Sequence, residues 1–366
     1  MAGEATSKRL VVSAKPRFEV EGEERARLAI DLIRLEVSHD EDGPSRLEAV
    51  FLNWGRAEEG TAPSYLYFDG QVLDLGKHLV VRAGESDNEA VLFDGAITAL
   101  GGQFPDLRPP EIVVLAEDAL QRMRMRQRTR FYEQEDEAAM VSTIASDHGL
   151  SGNADAQGTQ HKELWQVNQD DLGFLRERAR LADARLDVSG SDLVFKPRRD
   201  QSGDDPIRLS KENELIRFEA LADLAHQRTS LFVHGWSVAD KEAIHESSTG
   251  DDVQAEANGG KTGPQYLDDL GWTAVDHLHL ETPATTAEAQ ALAKSMMLRR
   301  GRRFLFGRGV TDGTPALKVG SKVELVDIGA WFSGTWSVCS VRHTFTLVEG
   351  LRTYFSAERV DIGRSA

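Results

Sequence analysis

Leu75-Gly76-Lys77-His78-Leu79-Val80-Val81 is followed, one loop later, by Leu92-Phe93-Asp94-Gly95-Ala96-Ile97; far downstream, Val319-Gly320-Ser321-Lys322-Val323-Glu324-Leu325 is followed by Trp331-Phe332-Ser333-Gly334-Thr335-Trp336. In both places a Gly opens a strand-like run and a Phe-x-Gly opens the next. The loop between them differs in length, as surface connections allow. The chain therefore reads as one small β-unit used twice. A doubled unit lets three chains present six, which points to an assembly part rather than an enzyme.

Working outward, Leu28 to Val37 reads as a strand whose apolar phase moves from Leu28, Ile30 and Leu32 to Ile33, Leu35 and Val37. A one-residue phase shift inside a strand is what a β-bulge produces. Asp40-Glu41-Asp42-Gly43 is turn chemistry, and strands follow at Leu47–Trp54, Leu79–Val81 and Val91–Leu100. Pro109-Pro110 closes this section. Residues up to about Pro16 read as a loose or docking tail. A helix is expected over Glu135–His148, stopping at Gly149. A second, capped by Asn168, carries Leu172, Leu175, Ala179 and Ala182 on one face. Arg185–Val188 and Asp192–Phe195 flank Ser189-Gly190-Ser191 as a hairpin, and Arg198–Pro206 is a polar linker. Strands resume at Ile216–Ala222 and Leu231–Trp236. Ala239–Gln265 reads as a polar excursion, and Thr285 with Glu288 forms a capping-box pattern for a helix through Met296-Met297. Strands then run from Gly313 to Val360, with a second bulge near Cys339-Ser340 and a turn at Val348-Glu349-Gly350.

At 366 residues, with 40% hydrophobic and 28% charged residues, the chain has the balance of a soluble protein of two or three domains. No apolar run reaches the ~18 residues of a membrane span. The N-terminus has no apolar signal core, and Cys339 is the single cysteine, so synthesis in a reducing cytoplasm is expected. A net charge of −17 disfavours both an extended nucleic-acid interface and an anionic membrane surface. It fits solubility, or an acidic channel that repels anions.

The candidate chemical motifs are weak. Gly260-Lys261-Thr262 resembles the end of a phosphate loop, but Ala255 stands where the first glycine belongs, and no strand or helix start flanks it. His277 and His279 share one side of a strand and could hold a metal only with Glu281 as a third ligand. His148 is explained by its place at a helix C-terminus. Cys339 lies within a strand and reads as a buried, inert thiol. The basic run Arg122 to Arg130 reads as a solvated face paired with the protein's own carboxylates, or as a contact strip for an acidic neighbour. No catalytic, cofactor-binding or metal-ligating set is expected.

Several longer segments resemble the phage late control D family, the baseplate hub proteins of contractile tails, and the N-terminal hub module of VgrG spike proteins. They are Leu115–Arg122 with Thr129-Arg130-Phe131-Tyr132; Ile144–Leu150; Gln166-Val167-Asn168-Gln169-Asp170-Asp171-Leu172-Gly173-Phe174-Leu175; Thr286–Ala289; Gly313–Gly320; and Phe332–Val338. Asp170 stands where that family commonly has Ser. The resemblance rests on the order and spacing of these segments over roughly residues 20–360.

The resemblance implies a mainly β fold with α+β insertions: two tube-protein-like antiparallel β-barrels plus two smaller α/β domains. The expected divisions are 1–110 for the first barrel with its tail, 111–206 for an α+β domain, 207–238 with 304–366 for a split second barrel, and 239–303 for an inserted domain. It further implies a homotrimeric, non-enzymatic hub without cofactors. Such a hub contacts an inner tube protein on one face, a trimeric spike protein on the other, and other baseplate proteins, with no membrane or specific nucleic-acid binding. It is made in the cytoplasm and incorporated into a phage tail or injection particle. Because nothing resembling a needle repeat follows the last strand, the spike is expected to be a separate polypeptide. The alternatives are a soluble two-barrel binding protein and a cell-wall glycan hydrolase using an acidic pair.

Overall fold

The computed structural model describes residues 15–41, 43–57, 61–85, 88–155, 160–199, 205–238, 240–279 and 283–363. Most of the expected N-terminal tail lies outside these residues, as do Asp42, Ala239, Glu281 and residues 200–204 of the expected linker.

The first unit contains β1 (Arg17–Val20), β2 (Glu23–Glu24), α1 (Ala26–Asp31), β3 (Leu32–Asp40), β4 (Arg46–Leu52), β5 (His78–Glu85), β6 (Asn88–Gln103) and β7 (Glu111–Glu117). The middle unit holds a short 3₁₀ turn, Ala119–Arg124, then β8 (Gln127–Glu135), α2 (Glu137–Asp147), β9 (Ser151–Ala154), β10 (His161–Asp170), α3 (Asp171–Leu181), β11 (Ala184–Ser189) and β12 (Asp192–Pro197). The second β-unit opens with β13 (Ile207–Ser210) and β14 (Leu215–Ala222). It is interrupted by β15 (Ser230–Ser237), β16 (Glu242–Thr249), α4 (Gly250–Gln254), β17 (Lys261–Thr262), α5 (Gly263–Asp269), β18 (Val275–Leu278) and α6 (Thr286–Arg302). It resumes with β19 (Leu305–Asp312), β20 (Lys322–Val326), β21 (Gly334–Thr346), β22 (Gly350–Arg359) and β23 (Asp361–Ile362).

The two β-units share one strand order. The first runs β1-β5-β6-β7-β4-β3, and the second β13-β20-β21-β22-β19-β14. Each order is the unit's first, fourth, fifth, sixth, third and second strand, leaving aside the two-residue β2. One direction differs: β1 is antiparallel to β5, whereas β13 is parallel to β20. Each unit surrounds its own core. Leu35, Phe51, Val81 and Val114 lie in the first, and Leu215, Val323, Trp336 and Phe355 in the second. Each such buried side chain contributes roughly 1.5–3 kcal/mol.

The repeat extends to irregularities. Ile33 is an extra residue in the pairing of β3 with β4, and Ile216 in the pairing of β14 with β19. The surrounding sequences, Leu32-Ile33-Arg34-Leu35-Glu36 and Leu215-Ile216-Arg217-Phe218-Glu219, are nearly the same. A second pair of register shifts falls at Thr98 of β6 and Cys339 of β21. Before these, Gly76 N donates to Ile97 O and Gly320 N to Val338 O, while Ile97 N and Val338 N donate back to Lys77 O and Ser321 O. Gly76 and Gly320 both have φ +81°, a left-handed conformation that favours glycine.

Several expectations are corrected. Leu28 to Asp31 is helical, so only the later half of the Leu28–Val37 run is strand, although the bulge falls at Ile33 as the phase shift predicts. The Phe-x-Gly half of the echo is out of register: Gly95 pairs with Leu79 as Trp336 pairs with Val323, which sets Phe93, not Gly95, opposite Gly334 in the comparison. β7 pairs with both β4 and β6, so the first unit continues past Pro110 to Glu117. β15 is the central strand of a separate β16-β15-β18 sheet, so Leu231–Trp236 belongs to the insertion and not to the second β-unit. The polar stretch beyond it contributes β16, α4, β17 and the first turn of α5. Asp170, not Asn168, caps α3 through Gly173 N at 2.8 Å, because Asn168 has φ +46° within a strand irregularity. The capping box of Thr285 and Glu288 is present.

The strand directions separate two ends. Four antiparallel steps link β6 through β7, β4 and β3 to β21, so β6 and β21 point the same way. The β6–β7 and β21–β22 turns therefore lie at one end of the strands. The middle unit leaves from the C-terminus of β7 and the insertion from that of β14, both at the opposite end.

Gly76→Ala is expected to cost about 1 kcal/mol, the penalty of a left-handed non-glycine residue. Gly320→Ala is expected to cost more, because its methyl group would also meet the Arg185 guanidinium, which donates to Val319 O at 2.8 Å. Urea denaturation of the two variants checks this ranking.

Candidate assembly surfaces

The joint between the β-units is a strand shared by two neighbours. The first half of β21 pairs with β20, and beyond the Cys339 irregularity Ser340 to Thr346 pairs with Asp40 to Arg34 of β3. Phe345 and Leu351 thereby enter the first unit's core. His343 stands opposite Val37, is buried, and has Nδ1 3.0 Å from Thr353 Oγ1. Burial pushes its pKa down to about 4.

Buried ion pairs tie the other units to this frame. Arg198 and Arg199, at the end of the middle unit, pair with Glu41 after β3, and Arg199 also with Glu358 of β22. Arg302, ending α6, bridges Asp183 and Glu256. His161 of β10 bonds Glu137 at 2.7 Å and Glu288 of α6 at 2.7 Å. Burial opposes its charge, but the two carboxylates outweigh it and raise its pKa, while both carboxyls are held below their usual range.

Among the strand edges left without a ladder partner in the described residues are the outer edge of β14 and the second half of β6 on the side away from β7. The matching turns β6–β7 and β21–β22 have equal length, since Gln103 pairs with Glu111 as Thr344 pairs with Arg352. At their tips Leu107 and Val348 occupy equivalent places and are 97% and 95% exposed. Beside the first tip, Trp54, Tyr65, Phe68 and Phe104 form an exposed aromatic cluster, with Phe68 and Phe104 ring centroids 5.9 Å apart. These surface residues carried no motif, so the sequence reading missed them; for Leu107 and Val348 the signal is their equivalence across the repeat.

The chemical candidates resolve structurally. The backbone at Asn258 and Gly260 does cradle an anion, but it is the protein's own Asp361 carboxylate, at 3.1 and 2.7 Å. Thr262 caps α5 with Gln265, and Lys261 pairs with Asp269 over the Tyr266 ring. His277 and His279 join His234 and His245 on the insertion sheet, with His234 Nδ1 2.8 Å from His245 Nδ1 and Nε2 3.0 Å from His277 Nδ1. Among the described residues no three His, Cys, Asp or Glu side chains are placed to hold a metal ion. His148 is pinned to Asp171 at 2.8 Å, a partner the sequence did not indicate. Burial raises the Cys339 thiol to about 11, which keeps it protonated and inert. In the basic run, Arg124 pairs with Glu117, while Arg128 and Arg130 pair with Asp147. No described helix is long and apolar enough to cross a membrane.

The sequence matches the family described as Alg8 N-terminal domain over residues 59–346, well over half of the chain. The chain belongs to the Alg8 N-terminal domain family. No curated protein matches it. Among solved structures, the 43 kDa tail protein of prophage MuSo2 from Shewanella oneidensis superposes with a TM-score of 0.69 at 9% identity, covering 95% of this chain and 99% of that one. A tail protein from Neisseria meningitidis MC58 gives 0.67 at 10% identity, with 94% and 96% covered. The E. coli c3393 protein, a type VI secretion component with structural similarity to T4 bacteriophage tail proteins gp27 and gp5, gives 0.57 at 12% identity, with 92% and 76% covered. This Alg8 N-terminal domain chain thus has the mainly β fold of phage tail proteins.

Protonation of His343 links the joint to pH. Its folded pKa lies below the ordinary 6.5, so its contribution is intact above that value and is lost as pH falls toward about 4. Between about pH 7 and about pH 5 the loss is about 2 kcal/mol. Urea titrations of the unaltered chain and of His343→Gln at the two pH values are expected to show a stability difference between the two proteins that shifts by about this amount, which isolates His343 from the other titrating groups.

Proposed function

We propose that this chain is the structural hub of the baseplate of a contractile injection particle or contractile phage tail. Three copies form a ring of six β-units, which joins a six-fold inner tube to a three-fold spike. It acts by shape and symmetry rather than by catalysis, without a cofactor, and is built into the particle after synthesis in the cytoplasm. The resemblance to late control D hubs and the tail-protein fold support this reading.

The observation that carries it is the contrast between the two strand ends. At one end each unit presents an equivalent apolar turn tip, Leu107 or Val348, so three chains offer six. At the other end the middle unit and the insertion occur once per chain, so three chains offer three. The β4–β5 connection is longer than its β19–β20 counterpart, so the first end is six-fold in its tips rather than throughout. Closed rings are the usual outcome of head-to-tail contacts whose rotation closes.

Co-expression with the tube and spike proteins encoded nearby, followed by imaging of what co-purifies, tests the reading. A three-chain ring bearing six lobes, tube on one face and spike on the other, is expected; a monomer that binds neither overturns it. Leu107→Asp combined with Val348→Asp changes two exposed tips. It is expected to leave the melting temperature unchanged and to weaken tube binding at least about tenfold, roughly 1.4 kcal/mol.

A further inference from the structure

The internal joint has no counterpart at the other end of the repeat. Residues 340–346 of β21 correspond to residues 99–105, the end of β6 and the two residues after it, because the two register shifts match and Gln103 pairs with Glu111 as Thr344 pairs with Arg352. Residues 34–40 of β3 correspond to 217–223, counted from the paired bulges at Ile33 and Ile216. Within the chain, the first of these segments has a strand on both sides, and the third pairs along its whole length with β21 and over Arg34–Ser38 with β4. The second and fourth have open edges among the described residues.

The side chains tell the same story. Phe345 is 4% exposed, seated in the first core opposite Leu35, whereas its equivalent Phe104 is 64% exposed. Leu35 and Val37 are fully buried under the joint, whereas their equivalents Phe218 and Ala220 are only partly buried at the flank of the second core. An exposed aromatic plug and an under-covered core flank thus sit at the two free ends of one repeat. Unpaired strand edges with apolar flanks are templates for further pairing.

We infer that the free edge of β14 pairs antiparallel with the free half of β6 of a second copy of this chain, seating the Phe104 ring of one copy against Phe218 of the next. Carrying the internal register across sets Leu100 opposite Ala222, Gly101 opposite Leu221, Gly102 opposite Ala220 and Gln103 opposite Glu219. Leu221, itself exposed, then lies over Gly101, which has no side chain to obstruct it. The contact is head-to-tail, because the surface offered differs from the surface received. The inference deepens the hub reading and rests on it for closure at three chains.

Disulfide trapping tests it. Directly opposed strand residues lie within disulfide reach, and a side chain at 101 makes ordinary contact with Val113. Chains carrying Gly101→Cys and chains carrying Leu221→Cys are mixed in the presence of the tube and spike proteins and oxidised. A covalent pair on a non-reducing gel is expected from the mixture and not from either variant alone, and a covalent three-chain species from the double variant. Three-chain rings that bind tube and spike but give no mixed cross-link overturn this interface and leave the hub reading standing. Chains that neither associate nor bind either partner overturn both. As a second measurement, Phe104→Asp alters a residue exposed in the single chain. It is expected to leave the melting temperature unchanged and to weaken chain association at least tenfold; association equal to that of the unaltered chain overturns the inference.

Discussion

The structure depends on one strand having two neighbours on one side. β21 pairs with β20 along its first half and with β3 along its second, while β22 runs beside it from Ser337 to Thr346. Leaving that second half bare would expose a row of backbone donors and acceptors next to a Phe and a Leu. Pairing it with β3 satisfies the ladder and drives Phe345 into the neighbouring core. The two units are therefore fixed by a continuous sheet, which resists bending far better than a polar linker between independent domains.

The sheet turns because of its irregularities. An extra residue in one strand of a pair bends it and increases its twist, and two such irregularities, at Ile33 and Thr98 of the first unit, recur at Ile216 and Cys339 of the second. One of them, at Cys339, lies where β21 changes partners. The buried pairs Arg198 and Arg199 with Glu41 and Glu358 gather at the same end of the strands, where the middle unit meets both β-units. Such pairs are costly to break singly, since the abandoned charge remains buried. They fix the geometry of this corner more than they add to stability.

Much of this was legible, and the failures have physical reasons. Apolar phase located the bulge at Ile33 because period-two alternation is strict wherever one face is buried. It failed at Leu28–Asp31, where a single helical turn can mimic alternation over so few residues. The glycines at 76 and 320 were informative because a left-handed φ constrains residue type. The Phe-x-Gly pattern was not, since neither residue is required by its backbone. The clearest repeat, Leu32-Ile33-Arg34-Leu35-Glu36 against Leu215-Ile216-Arg217-Phe218-Glu219, was present in the sequence but concealed by the different spacing that the insertion imposes. β15 was placed in the wrong sheet because alternation reports that a strand has a buried face, not which strands border it. Its neighbours are set by the packing of α6, which brings Ala289, Leu292 and Ala293 against Leu231 and Val233.

The Gly260-Lys261-Thr262 segment shows why chemistry cannot be read from such a motif by itself. The backbone N–H groups of Asn258 and Gly260 there do form an anion cradle. The buried Asp361 carboxylate already occupies it, held on its other side by Arg359 at 2.8 Å. The same logic applies to the basic run, where Arg124, Arg128 and Arg130 find their partners inside the molecule. Among the exposed apolar residues, Leu107 and Val348 lie in equivalent positions of the repeat, and Phe104 is the exposed counterpart of the buried Phe345. Unsatisfied surface that recurs with the symmetry of the fold marks contacts between molecules. A single chain contains one completed joint and the two halves of another.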